Sequence, residues 1–192
     1  MNEKDLIQRI RRGDEEAFKW LVDTYQVMVR NTCYGVVQDF DEAEDVAQEV
    51  FIKVFESIDQ FRGDARLSTW LYRIALNKSL NRKKKNKFRG FFSKLSEVFE
   101  GGSIVEQERT RVLSDQPDEQ MESREAMAQI RDAIDSLPDK QKQAFVLHKY
   151  EELPHKEIAE IMQTSISSVE SLIFRARKEL RKQLLTLYNQ HK

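Results

Sequence analysis

Apolar residues in this chain recur at three- and four-residue intervals almost throughout, and no segment alternates convincingly with a period of two. Such spacing loads one stripe of a helix and leaves neither face of a strand consistently apolar. The fold class it predicts is all-α, with no sheet. Of the 192 residues, 40% are hydrophobic and 34% charged, and only six are glycine and three proline, which suits a chain of water-facing helices around real cores. No run approaches the roughly 18 apolar residues a membrane helix needs, and the first eighteen residues contain no apolar core of a signal peptide. One cysteine, Cys33, cannot form an internal disulfide and reads as a small core residue. The expectation is a cytoplasmic protein with no membrane insertion of its own.

The formal net charge of −1 conceals strong segregation. Residues 1–56 carry −6, residues 57–92 carry +8, residues 93–139 carry −7 and residues 140–192 carry +4. Two cationic blocks separated by acidic ones point to two polyanion contacts and to acidic surfaces for another purpose. Helices are predicted from Asp14 along the stripe Phe18, Leu21, Val22, Tyr25, Val29 and Cys33, with a break from Gly35 to Phe40. The next begins at Asp41 with Glu44 completing a capping pair, and buries Ala43, Val46, Ala47, Val50, Phe51, Val54 and Phe55. Phe61-Arg62-Gly63-Asp64 reads as a loop, followed by a helix from Leu67 to about Lys85. Phe88–Gln120, holding three glycines and one proline, reads as a linker with local structure, acidic in its second half, in which FFSKLSEVF suits a short amphipathic helix that docks on a partner. Helices then follow at Glu122–Ser136 and Gln141–Glu151.

The segment Leu153–Lys182 reads as a helix-turn-helix. Its first helix, His155–Met162, turns Ile158, Ala159, Ile161 and Met162 inward. Its second buries Val169, Leu172, Ile173, Ala176 and Leu180 and leaves Ser171, Arg175, Lys178 and Lys182 on the other face. Ser167 and Glu170 have the spacing of a capping box. A helix so arranged fits a DNA major groove, whereas the plainer reading is a helical hairpin within a bundle. The other cationic block, Arg66–Lys87, mixes Trp70 and Tyr72 with Ser68, Thr69, Asn77, Asn81 and the run Arg82, Lys83, Lys84, Lys85. Lysines and arginines bind phosphates, and exposed rings beside them stack unpaired bases; the alternative is that the rings belong to the core. No glycine-rich phosphate loop, nucleophile elbow or paired-cysteine metal pattern is present, so no enzyme, cofactor or metal site is expected.

The strings DEAEDVAQEVFIKVF at Asp41–Phe55, FRGDARLSTWLYRIALNKSLNRKKK at Phe61–Lys85 and the run Leu137–Leu180 resemble the extracytoplasmic-function class of bacterial RNA polymerase sigma factors. The resemblance implies two helical domains: residues 1–87 as sigma region 2, residues 88–120 as linker, and residues 121–192 as sigma region 4. It implies that Asp41, Asp45, Gln48, Glu49 and Phe51 dock on core RNA polymerase. It implies that Phe61, Arg62, Gly63, Asp64, Ser68, Thr69, Trp70, Arg73, Asn77, Asn81, Arg82, Lys83 and Lys84 bind and melt the minus-ten promoter DNA. Lys156, Ser167, Ser168, Glu170, Ser171, Phe174, Arg175 and Lys178 would bind the minus-thirty-five element as duplex. Many members carry a basic residue where Glu170 stands; a glutamate accepts from a cytosine amino group or serves only the cap. An anti-sigma factor is an implied partner. Two rivals are a helix-turn-helix repressor or response-regulator output domain, which would dimerise on a palindrome, and a magnesium nuclease.

Overall fold

The computed structural model describes residues 2–99 and 118–190, with side-chain surroundings for residues 2–89 and 127–186. Among them are eight α-helices, one 3-10 turn and no strand: α1 Glu3–Arg11, α2 Glu15–Val37, α3 Phe40–Ser57, the turn Ile58–Gln60, α4 Leu67–Phe99, α5 Asp118–Ser136, α6 Asp139–Lys149, α7 His155–Met162 and α8 Ile166–Gln190. The all-helical expectation holds across these residues.

Side-chain caps fix the helix starts. Asp14 accepts from the Ala17 amide at 3.0 Å and opens α2 as expected. α3 begins two residues earlier than its sequence suggested, because Asp39, not Asp41, caps it by accepting from the Glu42 amide at 2.9 Å. The break predicted between Gly35 and Phe40 falls at Gln38 and Asp39. α2 runs through Gly35 and ends at Val37, with Gln38 in the left-handed region (φ 59°) returning its amide to the Tyr34 carbonyl. α4 is the larger surprise. It continues past Lys85 and through the predicted linker as far as Phe99, while the acidic second half of that linker lies largely outside the described residues.

α1 to α4 close a first core on Leu6, Leu21, Val29, Val46, Val50, Leu67 and Leu71. α1 also braces the α3–α4 connection: Arg11 donates to the Phe61 carbonyl at 2.6 Å, and Glu3 accepts from the Leu67 amide at 2.9 Å, capping α4. The second core joins the two halves. Val36, Tyr72, Leu76 and Leu80 pack in one cluster with Ala144, Val146, Leu147, Ile158 and Ile161. α4 thus presents two parallel stripes, Leu67, Leu71 and Ala75 to the first core and Tyr72, Leu76 and Leu80 to the second, each repeating every four residues. A third, smaller cluster sets Ala133 and Ile134 of α5, with Leu137 just beyond it, against Ala176 and Leu180 of α8.

Candidate nucleic-acid and polymerase interfaces

The loop between α3 and α4 forms a small cleft of about 140 Å³ lined by Phe61, Arg62, Gly63, Asp64, Trp70 and Arg73 among others. Gly63 takes φ +76°, where a side chain would be strained, and so permits the tight reversal. Phe61 is buried, its ring 5.3 Å from that of the half-buried Trp70, which serves both as packing and as a wall of the cleft. Arg62 and Asp64 are exposed beside it.

Along α4 the expected residues diverge. Asn77 and Asn81 are exposed and Ser68 is half-buried, but Thr69 is buried and offers little to a ligand. Tyr72 is not the exposed ring expected from sequence. It is 7% exposed and donates its hydroxyl proton to Glu151 at 3.0 Å. Burial raises the Tyr72 pKa, with the adjacent Glu151 charge adding to it. Glu151 is itself pushed upward by burial, against the opposing Tyr72 hydrogen bond, and its Oε1 is buried without a hydrogen-bond partner. Arg73 donates to the Ile161 and Glu160 carbonyls at 3.0 and 2.7 Å. Lys83 pairs with Asp135, and Lys84 with Asp139 at 2.7 Å.

On α3, Asp41, Asp45 and Gln48 are exposed. Glu49 is engaged by Arg82 and lies 3.6 Å from Lys78. Partial burial works against its charge, yet those two cations hold its carboxyl below the usual range. Arg82 also approaches Glu42 at 4.0 Å, so a residue expected on DNA and one expected on polymerase bind each other here. Phe51 is a correction: at 9% exposure it belongs to the core. The outward apolar residues of α3 include Phe40 at 59%, Ile52 at 60% and Phe55 at 55%, and Phe55, expected inside, meets Phe18 edge-to-face at 5.2 Å. Helical periodicity assigned Phe55 inward because it continues the Phe51 row, but Phe55 lies at the edge of the buried stripe, beside the buried Val54 and Ser57.

The helix-turn-helix is formed by α7, the turn 163–165 and α8. Gln163 adopts the left-handed conformation (φ 53°) that ends α7. The cap of α8 is Ser165, which accepts from the Ser168 amide at 3.2 Å; Ser167 is not the cap. Glu170 is therefore free of the expected box and sits 3.7 Å from the His155 ring nitrogen. Val169, Leu172, Ile173, Ala176 and Leu180 are buried as expected. Ser167, Ser171, Lys178 and, on α7, Lys156 are exposed, and Ser168 is half-buried. Glu170, Ser171, Phe174 and Arg175 line one shallow depression, with Phe174 69% exposed. Arg177 turns the other way, donating to His148 Nε2 at 2.8 Å. Burial first, then Arg177, lowers the His148 pKa and keeps that ring neutral. Among the described residues no cluster of His, Cys, Asp or Glu has the geometry of a metal site, and no helix is long and apolar enough to cross a membrane.

These positions coincide with two family models: Sigma-70 region 2 matches residues 21–89, and Sigma-70, region 4 matches residues 127–180. The ECF RNA polymerase sigma factor SigW of Bacillus subtilis is 36% identical over 186 residues, covering 96% of this chain and 97% of its own length. The chain belongs to the extracytoplasmic-function (ECF) class of RNA polymerase sigma factors. RNA polymerase sigma-H factor of Pseudomonas aeruginosa is 35% identical, with 96% and 95% covered. A solved structure of CnrH in complex with the cytosolic domain of CnrY shares the fold with a TM-score of 0.64 at 21% identity, over 96% of this chain and 97% of that one. As a sigma factor, the protein directs RNA polymerase to specific promoters. Most of the helices were legible in the sequence, apart from α1 and the extension of α4 to Phe99. The sequence missed the bracing by Arg11, the Tyr72–Glu151 bond and the outward Ile52, none of which leaves a mark in periodicity.

Proposed function

We propose that this sigma factor, without catalysing a reaction itself, divides promoter opening among three surfaces. Residues 1–87 act as the region 2 unit, residues 88–120 as linker and residues 121–192 as the region 4 unit. Asp41, Asp45 and Gln48 on α3, with Glu49 once released from Arg82, dock on core polymerase, and the exposed Ile52 and Phe55 add apolar contact. Such a surface joins an anionic rim that orients the partner to an apolar centre that holds it. The cleft of Phe61–Asp64 and Trp70 accepts an unstacked base of the minus-ten strand. Unstacking costs a few kcal/mol, offset by ring stacking and by phosphate contacts from Arg62, Arg82 and Lys85. The exposed row of α8 enters the major groove of the minus-thirty-five element, where Arg175 donates to base edges and Phe174 offers apolar contact to a thymine methyl. Glu170, outside any capping box, is free to accept from a cytosine amino group.

The observation that supports this most directly is the Phe61–Trp70 cleft, an aromatic-walled recess at the start of a cationic helix. Its test is Trp70→Ala in reconstituted holoenzyme: closed complexes should form normally while permanganate reactivity of the melted strand falls at least tenfold. Unchanged melting would remove the cleft from the mechanism. Asp45→Lys should separately weaken core association in a pull-down while leaving duplex binding by the region 4 unit intact. Two solved neighbours are complexes, CnrH with the cytosolic domain of CnrY and the sigma factor RpoE with the anti-sigma factor NepR. A regulator of that kind is the partner proposed for this protein when it is not on polymerase, in a cytoplasmic setting.

A further inference from the structure

Resting on the reading of the Phe61–Trp70 cleft as the seat of an unstacked base, we propose that α1 is the frame of that cleft. Arg11 and Glu3 are its positioning residues: they hold the recess in shape before the strand arrives and so set how strongly a base is seated in it. α1 precedes the residues matched to Sigma-70 region 2, which begin at 21. Its apolar side, Leu6, Ile7 and Ile10, is buried in the first core and fixes the helix in place. Arg9 and Asp14 pair at 2.8 Å across the α1–α2 corner, and Asp14 also caps α2, so the helix is tied to the bundle there too. Arg11 and Glu3 reach elsewhere, to the main chain of the α3–α4 connection. They stand eight residues apart, about 12 Å along a helix, and grip opposite ends of the loop.

At the near end, Arg11 Nη2 donates to the Phe61 carbonyl at 2.6 Å and lies 3.4 Å from the carbonyls of Ile58 and Asp59. Its Nε stands 3.7 Å from an Asp59 carboxylate oxygen. A guanidinium carries five donors in a rigid plane, so it can hold several acceptors at once. The Phe61 amide is bound as well, to the Ile58 carbonyl at 3.2 Å. With both backbone groups held, the buried Phe61 ring is set against Trp70 at 5.3 Å. At the far end Glu3 accepts from the Leu67 amide at 2.9 Å. A carboxylate on a free helix N–H is favoured by the helix dipole, and here it fixes the first turn of α4, which carries Trp70. Between these two points residues 62–64 are exposed and belong to no helix. A loop so bare would lose backbone entropy with every residue it ordered on binding, and fixing both ends beforehand removes much of that cost.

The experiment uses reconstituted holoenzyme and the single minus-ten strand of a promoter it transcribes, intact or with an abasic site at each position in turn. Parent holoenzyme should show a position at which the abasic site weakens binding about tenfold, the size of a base–aromatic stack. Arg11→Met keeps most of the stem and loses the donors. It should bind the intact strand about fivefold more weakly, and the strand abasic at that position within about twofold of the parent. Its slope of log affinity on log salt should be unchanged. Arg11 keeps 36% of its side chain accessible, so it could instead touch the strand directly. Equal losses on both strands, with the slope reduced by about 0.7, make it a phosphate contact and overturn the proposal, as does no loss on either. Should Arg11→Met misfold by circular dichroism, Glu3 decides. Glu3→Ala should repeat the selective loss, and Glu3→Gln, which keeps an acceptor for Leu67, should restore parent binding; a Glu3→Ala protein that loses equally on both strands, or on neither, overturns the proposal. Trp70→Ala keeps the two readings apart. It should abolish the difference between intact and abasic strands, and Arg11→Met added to it should weaken binding no further. If the parent shows no such position, or Trp70→Ala leaves the difference intact, the cleft is not the seat of a base. If Trp70→Ala abolishes the difference and Arg11→Met leaves it untouched, the cleft stands and α1 is not its frame.

Discussion

α4 and α8 are both long cationic helices assigned to DNA, yet the molecule treats them differently. α8 buries one stripe and leaves the opposite row open, with Phe174 and Arg175 exposed and Arg177 turned back to His148. α4 buries two stripes in two different cores, and Arg73, Lys83 and Lys84 are already bound to groups from the other half of the chain. A helix that only reads can be optimised one face at a time. A helix that also joins two halves has to reuse its polar groups, and that reuse is where regulation can enter.

The contrast predicts opposite outcomes for substitutions on the two helices. Leu147→Ala, which empties a site under the second stripe of α4, should destabilise the protein by about 2–5 kcal/mol in denaturant unfolding. Phe174→Ala on the open row of α8 should change stability by no more than about 0.5 kcal/mol. If the two cost the same, the joint core is not what holds the halves. Arg175→Ala should weaken binding to the minus-thirty-five duplex by about 1–3 kcal/mol with core polymerase affinity unchanged; a collapse of polymerase binding instead would put α8 on the wrong partner. Ser165→Ala should cost about 1 kcal/mol by removing the α8 cap, whereas Ser167→Ala should cost almost no stability and act only on DNA.

The smallest effect concerns pH at the junction. Glu151 has its pKa raised by burial in the folded chain, so the folded state binds a proton more readily than the unfolded one. The ionised carboxylate therefore lowers stability increasingly as pH climbs from the ordinary glutamate value through the raised one, and this loss is absent below that window. Glu151→Gln keeps an acceptor for Tyr72 and cannot ionise. Its melting temperature should exceed the parent's at pH 8, and the gap should shrink as pH is lowered to 5. A gap that is constant with pH would mean Glu151 is not the group responsible.

Much of this was legible beforehand. Three- and four-residue spacing set the fold class and placed the stripes of α2, α3 and α8, and polar residues located the turn between α7 and α8. Near misses had local causes: Asp39 and Asp41 at the start of α3, and Ser165 and Ser167 at the start of α8, each offered a cap, and the spacing of glutamate favoured the wrong one. The break predicted between Gly35 and Phe40 lies at Gln38 and Asp39, while Gly35 itself stays inside α2, where an added Cβ would stand 2.6 Å from Val146 Cγ1.

Periodicity reports that a helix face is buried without saying what lies against it. The sequence alone established most of the helices, the two cationic blocks and the row of α8 that stays open, since these depend on residues a few positions apart. Only the tertiary structure decided that Tyr72 meets Glu151 and that Arg73 caps α7. Those facts join residues as many as 88 positions apart, and hydrogen bonds and packing at that range are set by where the chain returns, which no local pattern encodes.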